Sequence, residues 1–506
     1  MKTMISRLSS LLMMGLLFMA GGAFAQQAAI QYWRPYDQRG VNVFETSKND
    51  TVVYDGLKVR FGAGFTQGYQ SLSHTNSARA TFGTYLETAP SSGVFTLSSG
   101  APLPAGTTIA KNPAVYGGYA VTQGATTTQF VDANTLYAMG GGFPLAQANL
   151  NIDVQLYDGI SLNLVSYMSS HHHNEFWVKG GYLKIDKVTF LNSEFFDNLW
   201  KNLTLKVGHM EINYGDAHFR RSDGGHTLQN PWIENNIMDE FTTEIGAELY
   251  WQKNGILAMV AFTDGEIQGN ISDPPVPDGA KRKPSLYAKL GFDKQLNEDL
   301  RVRLTGSVYT TKSSASNTVF GGDRTGSNYL FAGDNTTATI TTAYTSGRFN
   351  PGYRDNVTAY MINPFIKFNG LELFGTIEYA FGRNQLENGE GNRWGTAGAS
   401  MSVDNRQTHQ AAGEVLYRFG KYEKFYVGAR YINVSSTLPY GQSAASPGTL
   451  RDISIDRTSI GGGWFITPNI LVKGEYVNQN YNDYPDTERL SSANFKGVVI
   501  QGAISF

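Results

Sequence analysis

Cysteine is absent from all 506 residues. The chain can therefore carry neither a disulfide nor a lipidated N-terminal cysteine. Long apolar runs are lacking too. Past the N-terminal stretch 8–20, nothing approaches the ~20 apolar residues of a helical membrane span. A membrane-embedded form would have to be a closed barrel, because only helices and closed barrels pair every backbone group in lipid. No sign of charge dominates: the formal net charge is −2, which speaks against nucleic acid as a partner. No G-x-S-x-G or H-E-x-x-H motif occurs, so no enzyme, catalytic residue, metal site or cofactor is expected. The run His171-His172-His173 has no spaced carboxylate or Cys partner and reads as an exposed polar loop.

At the N-terminus, Lys2 and Arg7 flank the start of the apolar run, and Ala23-Phe24-Ala25 is an A-x-A site before Gln26. Residues 1–25 read as a secretory signal peptide. Residues 26–506 show no linker and no composition break, and read as one outer-membrane β-barrel domain. The stretch between Gln26 and the first strand is too short for the plug domain of an active transporter.

The remainder alternates. Segments of roughly ten residues, apolar at every second position and bounded by turn residues, are the pattern of a transmembrane antiparallel barrel. They fall at 57–65, 150–156, 160–165, 175–185, 203–212, 241–251, 256–262 and 285–292, then at 300–309, 357–368, 371–381, 408–419, 425–434, 458–466, 470–479 and 495–506. The expected fold is all-β, with about sixteen strands (16–18). In the last segment Val498, Ile500, Gly502, Ile504 and Phe506 share one face, placing Phe506 in an interfacial aromatic girdle. Connections sort by parity. Short ones such as Asn254-Gly255 and Asn369-Gly370 alternate with long polar ones such as 67–146, 265–284, 312–356 and 383–407. This matches short periplasmic turns and long extracellular loops. In the short set, 191–202 reads as a brief amphipathic packing helix at the periplasmic rim.

Alternation also assigns faces. Lys58, Arg60, Lys206, Lys289, Arg301, Arg303, Arg418, Arg430 and Lys473 point inward, as do Asp153, Glu244, Glu248, Glu372, Glu378, Glu414 and Glu475. A charge facing lipid near the midplane costs ~2–4 kcal/mol, so this one-sidedness implies a polar, wet lumen. Sixteen strands leave room for an aqueous channel. The loop after the fifth strand holds Asp216, His218, Arg220 and Arg221. Folded into the lumen, it would form a constriction where guanidinium groups concentrate small anions. Held outside, its Arg residues would pair with Asp216 and Asp223.

Residues 203–248, with LTLKVGHMEINYGDAHFRRSDGG followed by DEFTTEIGAELY, resemble the porins of Bacteroidota, distantly similar to the phosphate-selective O and P porins. The stretch QYWRPYDQRGVNVFETSK (31–48) resembles the start of such chains. The resemblance implies a sixteen-strand, trimeric diffusion channel. The lumen charges are of both signs, unlike the Arg ladder and Lys cluster of the phosphate-selective members. The expected protein is thus an outer-membrane porin for small hydrophilic solutes, leaning toward phosphate or other small anions. Its partners would be outer-membrane lipid, those solutes and two further copies of itself. The alternative is a barrel acting as a surface receptor, adhesin or secretion-associated protein.

Overall fold

The computed structural model describes residues 27–168, 176–265, 282–314, 317–354, 356–383, 405–440 and 449–506. The signal-peptide assignment and the histidine run lie outside them. The first barrel strand is β1 (Lys58–Thr75). Six short strands follow: β2 (Thr81–Phe82), β3 (Tyr85–Glu87), β4 (Phe95–Leu97), β5 (Thr107–Asn112), β6 (Gly118–Gln123) and β7 (Thr126–Val131). The wall continues through β8 (Gln147–Tyr157), β9 (Ile160–Met168), β10 (Trp177–Ile185), β11 (Leu203–Glu211), β12 (Thr243–Lys253), β13 (Ile256–Thr263), β14 (Ser285–Gln295) and β15 (Leu300–Thr311). It is completed by β16 (Asn356–Phe368), β17 (Leu371–Arg383), β18 (Arg406–Phe419), β19 (Phe425–Tyr440), β20 (Thr449–Thr467), β21 (Ile470–Asn482) and β22 (Asn494–Ser505).

Sixteen of these strands form one closed antiparallel barrel in which β1 pairs with β8 on one side and with β22 on the other. Closure is locked at the end of the chain, where Ala63 and Phe506 exchange backbone hydrogen bonds of 3.0 and 3.1 Å. Every expected strand is present. Several run farther than the alternation predicts, because their outer ends rise beyond the region where lipid imposes an apolar face. The turn Asn254-Gly255 shows why short connections carry these residues: both sit at positive φ, 53° and 79°, as a two-residue hairpin demands.

The exterior is apolar. Phe61, Val260, Phe262, Leu290, Ile377, Ile460 and Ile500 are all at least half exposed. At the short-turn end, Phe419, Phe425 and Trp464 stack in a row with centroids 5.6 and 6.0 Å apart. This is an aromatic girdle on a surface made for lipid. No described helix is long and apolar enough to cross a membrane; the strands do the crossing. Closed barrels of this kind are outer-membrane proteins, and the chain is placed there.

The first long loop carries structure of its own: β2–β4 and β5–β7 form two three-stranded sheets around Phe82 and Tyr119, stacked at 4.4 Å. The rim helix, Glu194–Trp200, packs through Trp200, whose Nε1 donates to Ile185 O at 3.2 Å, while none of its residues is fully buried and Phe195 is 70% exposed.

Candidate functional site

Many inward residues meet other parts of the chain. Three segments enter the lumen. The N-terminal stretch 27–57 crosses its turn-side end. Gln38 donates its backbone N–H to Pro468 O at 2.8 Å. Gln31 donates to Gln155 Oε1 on β8 at 2.8 Å, and Asn42 to Glu372 Oε1 on β17 at 2.6 Å. The stretch, expected to be too short for a plug domain, has no core of its own but narrows the lumen by a single irregular pass.

The second segment is the loop 212–242 between β11 and β12, and the third is 317–354 between β15 and β16. They are tied to each other. Phe349 N–H donates to Ile237 O at 2.7 Å, and Asn328 N–H to Glu234 Oε2 at 2.6 Å. Arg348 reaches Glu234, Asp223 and Asp239 at 2.8, 2.9 and 3.0 Å.

The four expected constriction residues therefore lie within the barrel, but none is an open charge. Asp216 accepts a bidentate pair from Arg303 at 2.8 and 2.8 Å. It also takes bonds from Lys289 at 3.0 Å and Thr305 at 2.8 Å. Burial pushes its carboxyl up, yet Lys289 and Arg303 outweigh burial and hold it well below the usual carboxylate range. Arg221 is enclosed by Asp223 (2.7 Å) and Asp239 (2.8 Å), and Arg220 pairs with Glu414 at 3.0 Å. His218 places Nε2 2.9 Å from Asn213 Oδ1. Burial, then Lys289, lowers its pKa well below the ordinary value, so the ring is neutral. An electropositive constriction is thereby replaced by a set of buried ion pairs, the lower-energy arrangement for cations removed from water.

The wall residues divide by partner. Lys473 donates to Thr227 O, Asn230 O and Trp232 O at 2.9, 2.9 and 2.7 Å. Arg430 donates to Glu234 O at 2.9 Å. Glu475 accepts Ile233 N–H at 2.7 Å, and Glu248 accepts Asn213 N–H at 3.0 Å. Glu378 takes the Tyr214 hydroxyl at 2.9 Å. These grip the loop. Others pair within the wall or with the N-terminal stretch: Arg418 with Glu372 (2.8 Å), Arg301 with Asp293 (2.7 Å), and Glu244 with the Tyr309 hydroxyl (2.5 Å). Lys58 pairs with Asp55 (2.6 Å), and the Arg60 guanidinium lies 3.8 Å from the Trp33 ring centroid.

Space remains on one side. A chamber of about 230 Å³ lies along β8–β12, bounded by the N-terminal stretch and residues 213–226. Trp33, Tyr36, Tyr182, Phe219 and Tyr250 contribute to its lining. Lys206 faces it, held by Glu248 at 3.3 Å and the Tyr250 hydroxyl at 3.1 Å. Among the described residues no cluster of His, Cys, Asp and Glu is placed to hold a metal ion.

Some lumen groups escape a reading by alternation. Arg457 begins to face inward one residue before the expected strand, and donates to Asn235 O and Gly347 O at 2.8 and 2.7 Å. Glu45, which bonds Arg303 at 2.8 Å, sits in an aperiodic segment and carries no signal of its partner.

No protein-family model matches the chain, and no curated protein matches it in sequence. Among solved structures it is similar to the outer membrane channel DcaP of Acinetobacter baumannii, at 12% identity over 89% of this chain and 98% of that one, with a TM-score of 0.43. It is similar to the anion-selective porin from Comamonas acidovorans at 8% identity, covering 89% and 100% of the two chains, with a TM-score of 0.43. Pseudomonas aeruginosa OpdL aligns at 9% identity, covering 88% and 98%, with a TM-score of 0.38. Fold and lumen together define the class: an outer-membrane β-barrel whose interior is partly occupied by its own loops.

Proposed function

We propose that the protein is a passive outer-membrane channel for small hydrophilic solutes, and not an enzyme. The observation that carries this reading is the chamber inside a closed, lipid-facing barrel, walled by hydrogen-bonding groups on five consecutive strands. Solutes reach it past the loops 212–242 and 317–354, and leave it past the N-terminal stretch. The protein then admits a restricted range of solutes, because three of its own segments narrow the way.

Selectivity between ions should be weak. Arg220 and Arg221 were expected to draw in anions, but each sits against a carboxylate, which cancels most of the field either could project. A trimer remains the assembly implied by the resemblance of 203–248 to known porins.

Planar-bilayer recording on the intact, folded protein tests the reading. Discrete, steady openings with a reversal potential near zero in a salt gradient are expected. A correctly folded barrel that carries no current would refute the channel and leave a receptor or adhesin.

A further inference from the structure

We propose that the chamber along β8–β12 binds neutral polyhydroxylated solutes, a sugar or polyol about the size of a monosaccharide. This rests on the channel reading and names the class of solute that channel favours.

Two independent features of the chamber point there. The first is its set of rings. Trp33 and Tyr36 stand nearly perpendicular, with centroids 5.5 Å apart, so their faces form a corner. The Arg60 guanidinium packs on Trp33, fixing that ring before any solute arrives. Tyr182 and Tyr250 line the opposing strands. Such surfaces take the C–H face of a pyranose, and the Tyr36 and Tyr250 rings are held in place by their hydroxyls, which donate to Asp153 and Glu248.

The second feature is charge that is already balanced. Lys206 is held by Glu248, Lys184 by Asp186 at 3.2 Å, and Lys179 by Asp323. Asp153 accepts from Trp33, Tyr36 and Asn163 at 3.2, 2.8 and 2.6 Å. Of the other lining charges, Glu45 pairs with Arg303 and Lys289 at 2.8 and 3.3 Å, and Arg34 and Glu211 have opposite signs. An ion entering this space gives up hydration and meets mostly charges that are already held by other groups, a net cost. A neutral polyol meets polarised donors and acceptors, and its hydroxyls replace water at each of them. The volume, about 230 Å³, lies just under the range of small-ligand pockets.

The test compares glucose with gluconate, which shares its six-carbon skeleton but carries a carboxylate. Added to a bilayer containing the intact protein, glucose should block the ion current saturably, with gluconate about tenfold weaker. Tyr182→Leu should weaken the glucose block about fivefold, whereas Tyr182→Phe, which keeps the ring, should weaken it less. Both variants are first checked for heat-modifiable migration as folded barrels. Gluconate blocking as well as glucose, or neither blocking a measurable current, overturns the sugar site and leaves the channel standing. Absence of any current from folded protein overturns the channel itself, and the site with it. The glucose–gluconate comparison needs no variant, so a misfolded substitution does not protect the proposal.

Discussion

The two halves of the lumen use the same residue types in opposite ways. Along β16–β22 the wall reaches across: Lys473 caps three loop carbonyls, Arg457 caps two, and Arg430 caps one. Along β8–β12 the wall turns sideways, as Lys206 bonds Glu248 on the neighbouring strand. Where several charges converge on one stretch of backbone the lumen is filled; along β8–β12 the cross-lumen contacts, Lys184 to Tyr32 O at 2.9 Å and Lys179 to Asp323, are scattered and leave a hollow. An inward charge therefore does not by itself signal a pore. What matters is whether the contacts across the lumen converge or scatter.

The largest effect should come from releasing the grip. Lys473→Met strips three carbonyls of a charged donor in a site only 1% exposed. Loop residues 227–232 should loosen by about 3–5 kcal/mol. Single-channel conductance should then rise severalfold; an unchanged conductance would mean that this half is sealed by other contacts. Next is Asp216→Asn, which leaves Lys289 with Glu45, and Arg303 with Glu45 and Asp293, as remaining acid partners and should cost about 3 kcal/mol. It is read as a lower temperature for conversion of the folded band in gels. The Asp216 carboxyl is held below its ordinary range, so its contribution is complete above the unfolded pKa. It is lost only as the pH falls through the lower folded value. The gap between variant and parent should therefore persist through mildly acid conditions and close in stronger acid.

Legibility in the sequence followed the same division. Lipid imposes an apolar residue on every second position, so β14 or β21 declares itself by pattern and its inward charges follow by parity. The partner of an inward charge obeys no such rule. Lys289 meets Asp216 at 3.0 Å, a residue from a loop three strands earlier, and Lys473 meets a stretch that begins at Thr227. Nothing periodic in 27–57 announces that Glu45 will reach Arg303. The constriction loop was readable as a cluster of charges and its residues do enter the barrel, but the mutual neutralisation of those charges depends on contacts from distant segments.

A smaller effect, of opposite sign to that at Asp216, is expected at Glu240 in the same loop. Both of its carboxyl oxygens are buried without a donor, beside Arg220 and Arg430 in a cavity of about 20 Å³. Burial, then Glu378, raises its pKa well above the ordinary value. For a raised acid, stability is complete below the unfolded pKa and is lost as the pH rises through the folded value. Glu240→Gln should thus be nearly neutral near pH 5 and should stabilise by about 1 kcal/mol at alkaline pH. A constant difference across pH, seen in thermal unfolding, would show that this carboxyl does not titrate with folding.

The smallest effect belongs outside the lumen and serves as the control for both halves. In the rim helix, Phe195 and Leu199 lie one turn apart on one face, and Phe190, Leu191 and Phe196 extend that surface, all at least 40% exposed. Glu194 and Asp197 make it amphipathic. A segment with an apolar face bound to nothing, set between the ends of two lipid-facing strands, suits the headgroup–acyl boundary. Phe195→Ser with Phe196→Ser removes no packing contact of the barrel, so conductance should hold and stability in detergent should change by less than about 0.5 kcal/mol. Because the chain has no cysteine, a spin label at Phe195→Cys reports this position alone. It should be accessible to oxygen and shielded from a water-soluble nickel complex, with the reverse at Asp197→Cys. Equal exposure to nickel at both positions would place the helix in water, and a conductance change in the serine variant would tie the rim to the seal.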